Sequence, residues 1–330
     1  MNSLDRLDPE LLPLLDAAPT LNLDDTLLTE MRAAIAQRYE SLVSGYGPII
    51  HTITSVDGQD IALYHYPAKG PKGRRPAILH MHGGGMVIGS AASSARTLAP
   101  LCGRLGISAF SVEYRLAPQA RFPLPQEDCY AALRWLVEHA DELEIDSDRI
   151  VVMGESAGGG LATALAQMVR DRGELPPLAG QVLLYPMLDH RTGRPGDLSS
   201  SPTAGTFVWT RHSNQFGWSA LRGDYTAGDE RRGWFSPSLA ENFAELAPAF
   251  IAVGDLDLFA CEDLTYAQRL MHAGVPVELH LYAGAPHGFD LLESATVSQR
   301  LRTDVSTAIC RYLALPVATI GQQTAAATME

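Results

Sequence analysis

A serine becomes a nucleophile when it sits on a cramped turn between a strand and a helix, and Gly154-Glu155-Ser156-Ala157-Gly158 has the G-x-S-x-G spacing for such a turn. Three fixed positions are a weak signal, and a serine at a helix start also serves as an ordinary N-cap. The flanking residues strengthen the chemical reading. The apolar run Ile150 to Met153 precedes the motif, and the small residues Gly159-Gly160-Leu161-Ala162-Thr163-Ala164-Leu165 follow it, a helix able to pack tightly on a sheet. Ser156 would then face the unpaired N–H groups of a helix N-terminus, which favour developing negative charge. A second glycine run, His82-Gly83-Gly84-Gly85, follows another apolar stretch ending near Met81. It could be a plain flexible loop, but a phosphate cradle is disfavoured because no G-x-G-x-x-G opens a helix here and no Lys follows. Consecutive N–H groups free of side-chain hindrance suit the oxyanion of a tetrahedral intermediate. Gly83, Gly84 and the N–H of Ala157 are the expected donors.

Such a serine needs a neutral base near pH 7, oriented by a third group. Ten histidines compete for that role. His280 alternates with Leu279 and Leu281 and is expected on a solvated or helix-covered face of a strand, while His139, His212 and His272 fall in helical or covering segments. His287 differs: it lies beyond a strand ending at Tyr282, in Gly284-Ala285-Pro286-His287-Gly288, at the sheet edge where an α/β fold places reacting side chains. For the acid, Gly254-Asp255-Leu256-Asp257-Leu258-Phe259 offers two carboxylates two positions apart.

His82 to Gly85, Glu113-Tyr114-Arg115-Leu116-Ala117-Pro118, Gly154 to Gly158 and Pro286-His287-Gly288-Phe289, taken together and in this order, closely resemble the motifs of the hormone-sensitive-lipase-like esterases, bacterial family IV of the α/β-hydrolase superfamily. The resemblance spans roughly residues 67–313. It implies a capped α/β-hydrolase fold, a Ser/Asp/His triad and hydrolysis of mainly short acyl esters through an acyl-enzyme. It selects Asp257 over Asp255 by likeness to the family's Asp-Pro-Leu segment, although Leu258 stands where the family has proline, which leaves the loop geometry open. It also implies that Tyr114 and Arg115 brace the oxyanion loop and carry no chemistry. The order Ser156, Asp257, His287 is that of α/β-hydrolases. The expected activity is a serine carboxylesterase acting on short-chain acyl or small aromatic esters, with no cofactor and no metal. Amide, lactone or carbamate hydrolysis by the same triad is the alternative; a non-catalytic binder on this fold has no need of the whole set.

The elements that must position these residues follow from periodicity. Residues 49–56 and 61–66 flank Asp57-Gly58 as a hairpin, and short apolar strands are expected at 77–81, 107–112, 149–153, 181–185, 249–253 and 277–282. Helical spacing marks 125–142, 156–172 and 260–273. Strand and helix in alternation predict an α/β-hydrolase-type core, a mostly parallel sheet flanked by helices. Residues 1–45 read as helical, with Leu27, Leu28, Met31, Ile35 and Tyr39 three and four apart. The stretch 188–237 breaks the rhythm with Phe207, Trp209, Phe216, Trp218 and Trp234 spread through it. The expected organisation is therefore 1–45 as the N-terminal part of a helical cap, 46–187 and 238–316 as the two parts of the catalytic core, 188–237 as a cap insertion and 317–330 as a frayed tail. Met86, Val87, Phe207 and Trp209 are candidate pocket-lining residues, with packing of the cap an equally weighted role. An aromatic, apolar pocket favours small hydrophobic esters over charged ones.

Composition narrows the partners. A formal net charge of −13 repels a phosphate backbone or an anionic membrane, so neither nucleic acid nor a membrane is an expected partner, and a small-molecule ester is. The N-terminal stretch carries Asp5, Asp8 and Glu10 where a secretory signal needs a positive start, and no apolar run approaches the roughly 18 residues of a membrane span. Cys102, Cys129, Cys261 and Cys310 are widely separated and read as free thiols, which fits a soluble, cytoplasmic protein. A homodimer, the commonest closed assembly, is the default oligomer.

Overall fold

The computed structural model describes residues 2–18, 20, 22–69, 73–195, 197 and 201–316. Eight strands form one sheet: β1 (Ile49–Thr54), β2 (Asp60–Tyr66), β3 (Arg75–Met81), β4 (Ser108–Val112), β5 (Ile145–Glu155), β6 (Gly180–Leu184), β7 (Ala249–Gly254) and β8 (Val277–Tyr282), in the order β1-β2-β4-β3-β5-β6-β7-β8. The β1–β2 and β2–β4 pairs are antiparallel and all others are parallel. The hairpin turns at Asp57-Gly58, in register from Ile49 opposite His65 to Thr54 opposite Asp60. The chain has the α/β-hydrolase fold.

The inner strands are covered on both faces, so their sequences are apolar without a polar alternation. Alternate residues feed opposite cores: Leu79 and Val152 join one cluster, Ile78 and Val151 the other. Helices α4 (Leu124–Glu138), α5 (Ala157–Arg172) and α8 (Ala260–His272) supply Leu133, Leu165 and Leu270 to the first, all at most 1% exposed. Helices α3 (Ala95–Leu105) and α9 (Thr296–Tyr312) supply Leu98, Leu301 and Ile309 to the second. The remaining helices are α1 (Leu14–Ala17), α2 (Asp25–Tyr46), α6 (Arg211–Leu221) and α7 (Arg232–Phe235).

Two expectations change. Residues 1–45 are not helical throughout: among the described residues before α2 there are only 3-10 turns at Ser3–Arg6 and Pro9–Leu11 and the single turn of α1. Pro9 and Pro13, which lack an N–H, restrict this stretch to helix starts. The helix over 125–142 ends at Glu138, and residues 139–145 turn into β5. The expected tail, 317–330, lies outside the described residues. Among the described residues no helix is long and apolar enough to cross a membrane.

Candidate active site

Ser156 lies between β5 and α5 at φ 55°, ψ −119°, a conformation that costs a β-carbon-bearing residue and persists only where its surroundings impose it. Here they do. Its N–H donates to the Leu184 carbonyl at 2.9 Å, and its own carbonyl accepts from Met187 and Gly160 at 2.9 and 3.0 Å. The turn also needs α5 to sit directly on β3: a Cβ on Gly158 would lie 2.0 Å from the Met81 carbonyl oxygen.

His287 presents Nε2 to Ser156 Oγ at 3.0 Å and Nδ1 to Asp257 Oδ2 at 2.8 Å. The second oxygen of Asp257 accepts from the Phe259 N–H at 2.9 Å, so both lone-pair sides of this buried carboxylate are used. Tyr185 and Phe259 meet the imidazole edge-on at 4.8 and 5.2 Å between centroids. Asp255 faces elsewhere, accepting from the Gly284 N–H at 2.7 Å and pairing with Arg6. It braces the His287 loop from outside. Leu258 in place of proline thus leaves Asp257 against the imidazole.

Gly84 has φ 122°, and a Cβ there would meet the Ile88 carbonyl oxygen at 2.1 Å, because Val87 and Ile88 fold back to donate to the Gly84 carbonyl. Gly83 abuts the nucleophile turn, its would-be Cβ 3.5 Å from Ser156 Cβ. Among the described residues the N–H groups of Gly83, Gly84 and Ala157 make no hydrogen bond. Beneath the loop, Tyr114 Oη donates to the His82 carbonyl at 2.7 Å and its ring stacks on His82 at 4.2 Å. Burial pushes the His82 imidazole down to about 4. Arg115 binds Asp128 and Asp57, each at 2.6 Å, tying the β1–β2 turn to α4.

Of the four candidate lining residues, Trp209 lies beside His287, at 6.4 Å between rings, with its indole covering Gly85. Met86 is buried with Cε next to Gly160, whereas Val87 is fully buried and gives its carbonyl to Arg32 Nε at 2.7 Å. Phe207 packs in the other core cluster with Tyr185 and Phe289.

Two positioning residues escape a motif-based reading. His80, buried in β3, bridges Ser111 Oγ at 2.9 Å and Glu155 Oε2 at 2.9 Å, fixing the residue before Ser156. Its signal was a lone polar side chain in the otherwise apolar run 77–81. Glu262 on α8 accepts from the Leu188 N–H at 2.7 Å, pinning the start of the 188–237 stretch, and burial pushes its carboxyl well above the usual range. His280 binds Glu278 and lies 3.4 Å from Asp304 of α9, on a helix-covered face far from chemistry.

This chain belongs to the α/β-hydrolase family: residues 78–291 match the profile described as alpha/beta hydrolase fold. Within it, the chain is one of the hormone-sensitive-lipase-like esterases, a carboxylesterase of the serine hydrolase class. It is 35% identical over 240 residues to an ethyl acetate hydrolase of Pseudomonas putida, covering 72% of this chain and 74% of that protein. It is 32% identical over 292 residues to esterase LipI of Mycobacterium tuberculosis, covering 86% and 88% of the two. The solved structure of a bacterial heroin esterase superposes with a TM-score of 0.82 at 35% identity, covering 94% of this chain and 98% of that one.

Proposed function

We propose that Ser156, His287 and Asp257 act as a catalytic triad that hydrolyses short-chain acyl or small aromatic esters through an acyl-enzyme. The observation that carries this reading is the unbroken run from Ser156 Oγ to His287 Nε2 at 3.0 Å and from His287 Nδ1 to Asp257 Oδ2 at 2.8 Å. In the proposed reaction Ser156 Oγ attacks the ester carbonyl while its proton passes to His287 Nε2, and Asp257 offsets the imidazolium charge. The oxyanion takes hydrogen bonds from the free N–H groups of Gly83, Gly84 and Ala157. The intermediate collapses as His287 protonates the leaving alcohol, and water activated by His287 then releases the acid and restores Ser156.

Residues 1–45 and 188–237 form the cap in this reading. Support comes from their joint contacts: the Leu23 N–H donates to Ser213 Oγ at 3.0 Å, and Thr210 Oγ1 donates to Asn22 Oδ1 at 3.0 Å. Trp209 over Gly85 limits the space beside the oxyanion loop, which favours small acyl groups, the class named in the Pseudomonas relative. The test is hydrolysis of p-nitrophenyl esters from acetate to palmitate by wild type and Ser156→Ala. Turnover concentrated on the short esters, with the variant at or below about 10⁻³ of wild type, supports the proposal. Activity surviving in Ser156→Ala, or a wild type inert on every ester, overturns it.

A further inference from the structure

The stretch 188–237 of this strongly acidic chain carries a group of arginines, and most of them are matched. Arg191 pairs with Asp189, Arg231 with Asp229 and Arg232 with Glu241. Arg194 and Arg222 differ: among the described residues neither guanidinium has a hydrogen-bond or ion-pair partner. Local structure brings them together around His190. Two successive turns, Thr192 N–H to the Asp189 carbonyl at 3.1 Å and Arg194 N–H to the Arg191 carbonyl at 3.2 Å, curl the chain back after His190. Arg222 ends α6 one turn beyond Trp218, to whose carbonyl its N–H donates at 3.1 Å, and side chains four apart share a helix face. The Trp218 and Tyr225 rings meet His190 edge-on at 6.2 and 6.0 Å.

Two further groups in the cluster are unspent. Trp218 is 1% exposed, yet among the described residues its Nε1 has no partner, and neither has the buried Nδ1 of His190. A buried indole N–H can only donate, and leaving it unmet is destabilising. Charge accumulates at the same place. Burial, and after it Arg194, pushes the His190 imidazole down to about 4, with Arg222 and Arg191 adding to the effect and Asp189 opposing it. Arg194 is itself lowered by burial and then by Arg222. Asp189 cannot serve the pair, since Arg191 Nε and Nη2 hold its two oxygens at 2.9 and 2.7 Å. Two guanidiniums and an indole N–H left unpaired in one cluster describe a seat for an anion, for which a carboxylate held between guanidiniums is a strong match.

The cluster is close to Ser156. Gly217, the residue before Trp218, rests on the oxyanion loop so closely that a Cβ there would lie 2.6 Å from the Gly85 carbonyl. On the other side, Met187 donates to the Ser156 carbonyl at 2.9 Å, and at 3.8 Å per residue this bounds His190 Cα to roughly 16 Å from that carbonyl. That upper bound sets the range of ligand lengths to test, from one to several methylene groups between ester and acid.

We propose that Arg194 and Arg222, with the Trp218 N–H, form a carboxylate subsite, so that the preferred substrates are half-esters carrying a second, ionised carboxyl group. The proposal rests on the esterase reading of Ser156 and narrows it. The test compares monomethyl esters of dicarboxylic acids, from succinate to suberate, with neutral methyl alkanoates of matched length, by pH-stat with wild type and Arg194→Gln/Arg222→Gln. Each preparation is read as the ratio of kcat/KM for half-ester over neutral ester. The expected wild-type ratio at the best length is about 10 or more at low salt, and the double variant lowers it at least about tenfold, mainly through KM. Arg96→Gln, which removes an exposed arginine near Glu293, leaves the ratio in place. In wild type alone, raising salt from about 20 to about 500 mM raises the half-ester KM selectively, which settles the matter even if the double variant does not fold. A wild-type ratio at or below one at every length, a ratio unmoved in the double variant, or a salt-insensitive KM overturns the subsite. Neutral esters cleaved without half-ester preference sink this proposal alone, whereas a wild type that cleaves neither class removes the esterase reading beneath it.

Discussion

In the loops at the carboxyl edge of the sheet, Ser156 Oγ meets His287 at 3.0 Å, His287 meets Asp257 at 2.8 Å, Asp257 meets the Phe259 N–H at 2.9 Å, and Asp255 meets the Gly284 N–H at 2.7 Å. In the stretch 188–237, Arg194, Arg222 and the Trp218 N–H meet nothing among the described residues. The two regions differ in when their polar groups are satisfied. Groups that must hold an imidazole to a fraction of an ångström are bonded before any ligand arrives, since rearrangement during the reaction would raise its barrier. Groups that recognise a ligand keep their donors open until it binds. Among the described residues the N–H groups of Gly83, Gly84 and Ala157 are also unbonded although they sit in the first region, which suits the oxyanion role proposed for them.

Breaking the bonded region at its centre has the largest expected effect: Ser156→Ala lowers kcat/KM on p-nitrophenyl acetate by about 10³-fold or more. Asp257→Asn follows, with a loss of about 10²–10⁴-fold because the amide no longer fixes the imidazole tautomer, whereas Asp255→Asn, two residues away, costs only a few-fold in rate and about 1 kcal/mol in stability. Similar losses for the two variants in parallel kinetics and urea unfolding would erase the distinction between their roles. Next comes His82. Its folded-state pKa, about 4, lies below the ordinary imidazole value, so the unfolded chain takes up a proton first as pH falls, and stability drains away between about pH 6.5 and 4. Urea unfolding at about pH 7.5 and 4.5 is expected to show wild type losing about 2 kcal/mol more than His82→Gln over that interval; equal losses contradict a buried neutral His82. The smallest effect is Tyr114→Phe, which deletes the bond to the His82 carbonyl while keeping the stack. About 1 kcal/mol of stability and up to about tenfold in kcat, without a matching rise in KM, mark it as a brace of the oxyanion loop.

Much of the bonded region was legible from residue types. Glycines flanking Ser156 and running from Gly83 to Gly85 record close backbone contacts, and the apolar runs mark the buried parallel strands, each found within a few residues of its place. Where information is carried by distance in the chain, the sequence was mute. Nothing in Gly254 to Phe259 tells which carboxylate turns inward, because Asp255 is drawn outward by Arg6, 249 residues away. Helix α9 does carry a period, in Val297, Leu301, Val305 and Ile309, but no motif draws the eye to it. The gathering of Arg194, Arg222 and Trp218 depends on tight turns within 188–237 that have no strong propensity behind them.

Residues 6–10 close over the loop that bears His287 and the start of α9. Asp8 donates from its N–H to the Gly284 carbonyl at 3.0 Å, Arg6 holds Asp255, and Glu10 accepts from the Thr296 N–H at 2.6 Å, at the start of α9. Contacts between segments so far apart in sequence carry a large loop-closure cost, so the docking of residues 6–10 onto the loop that bears His287 is expected among the late events of folding.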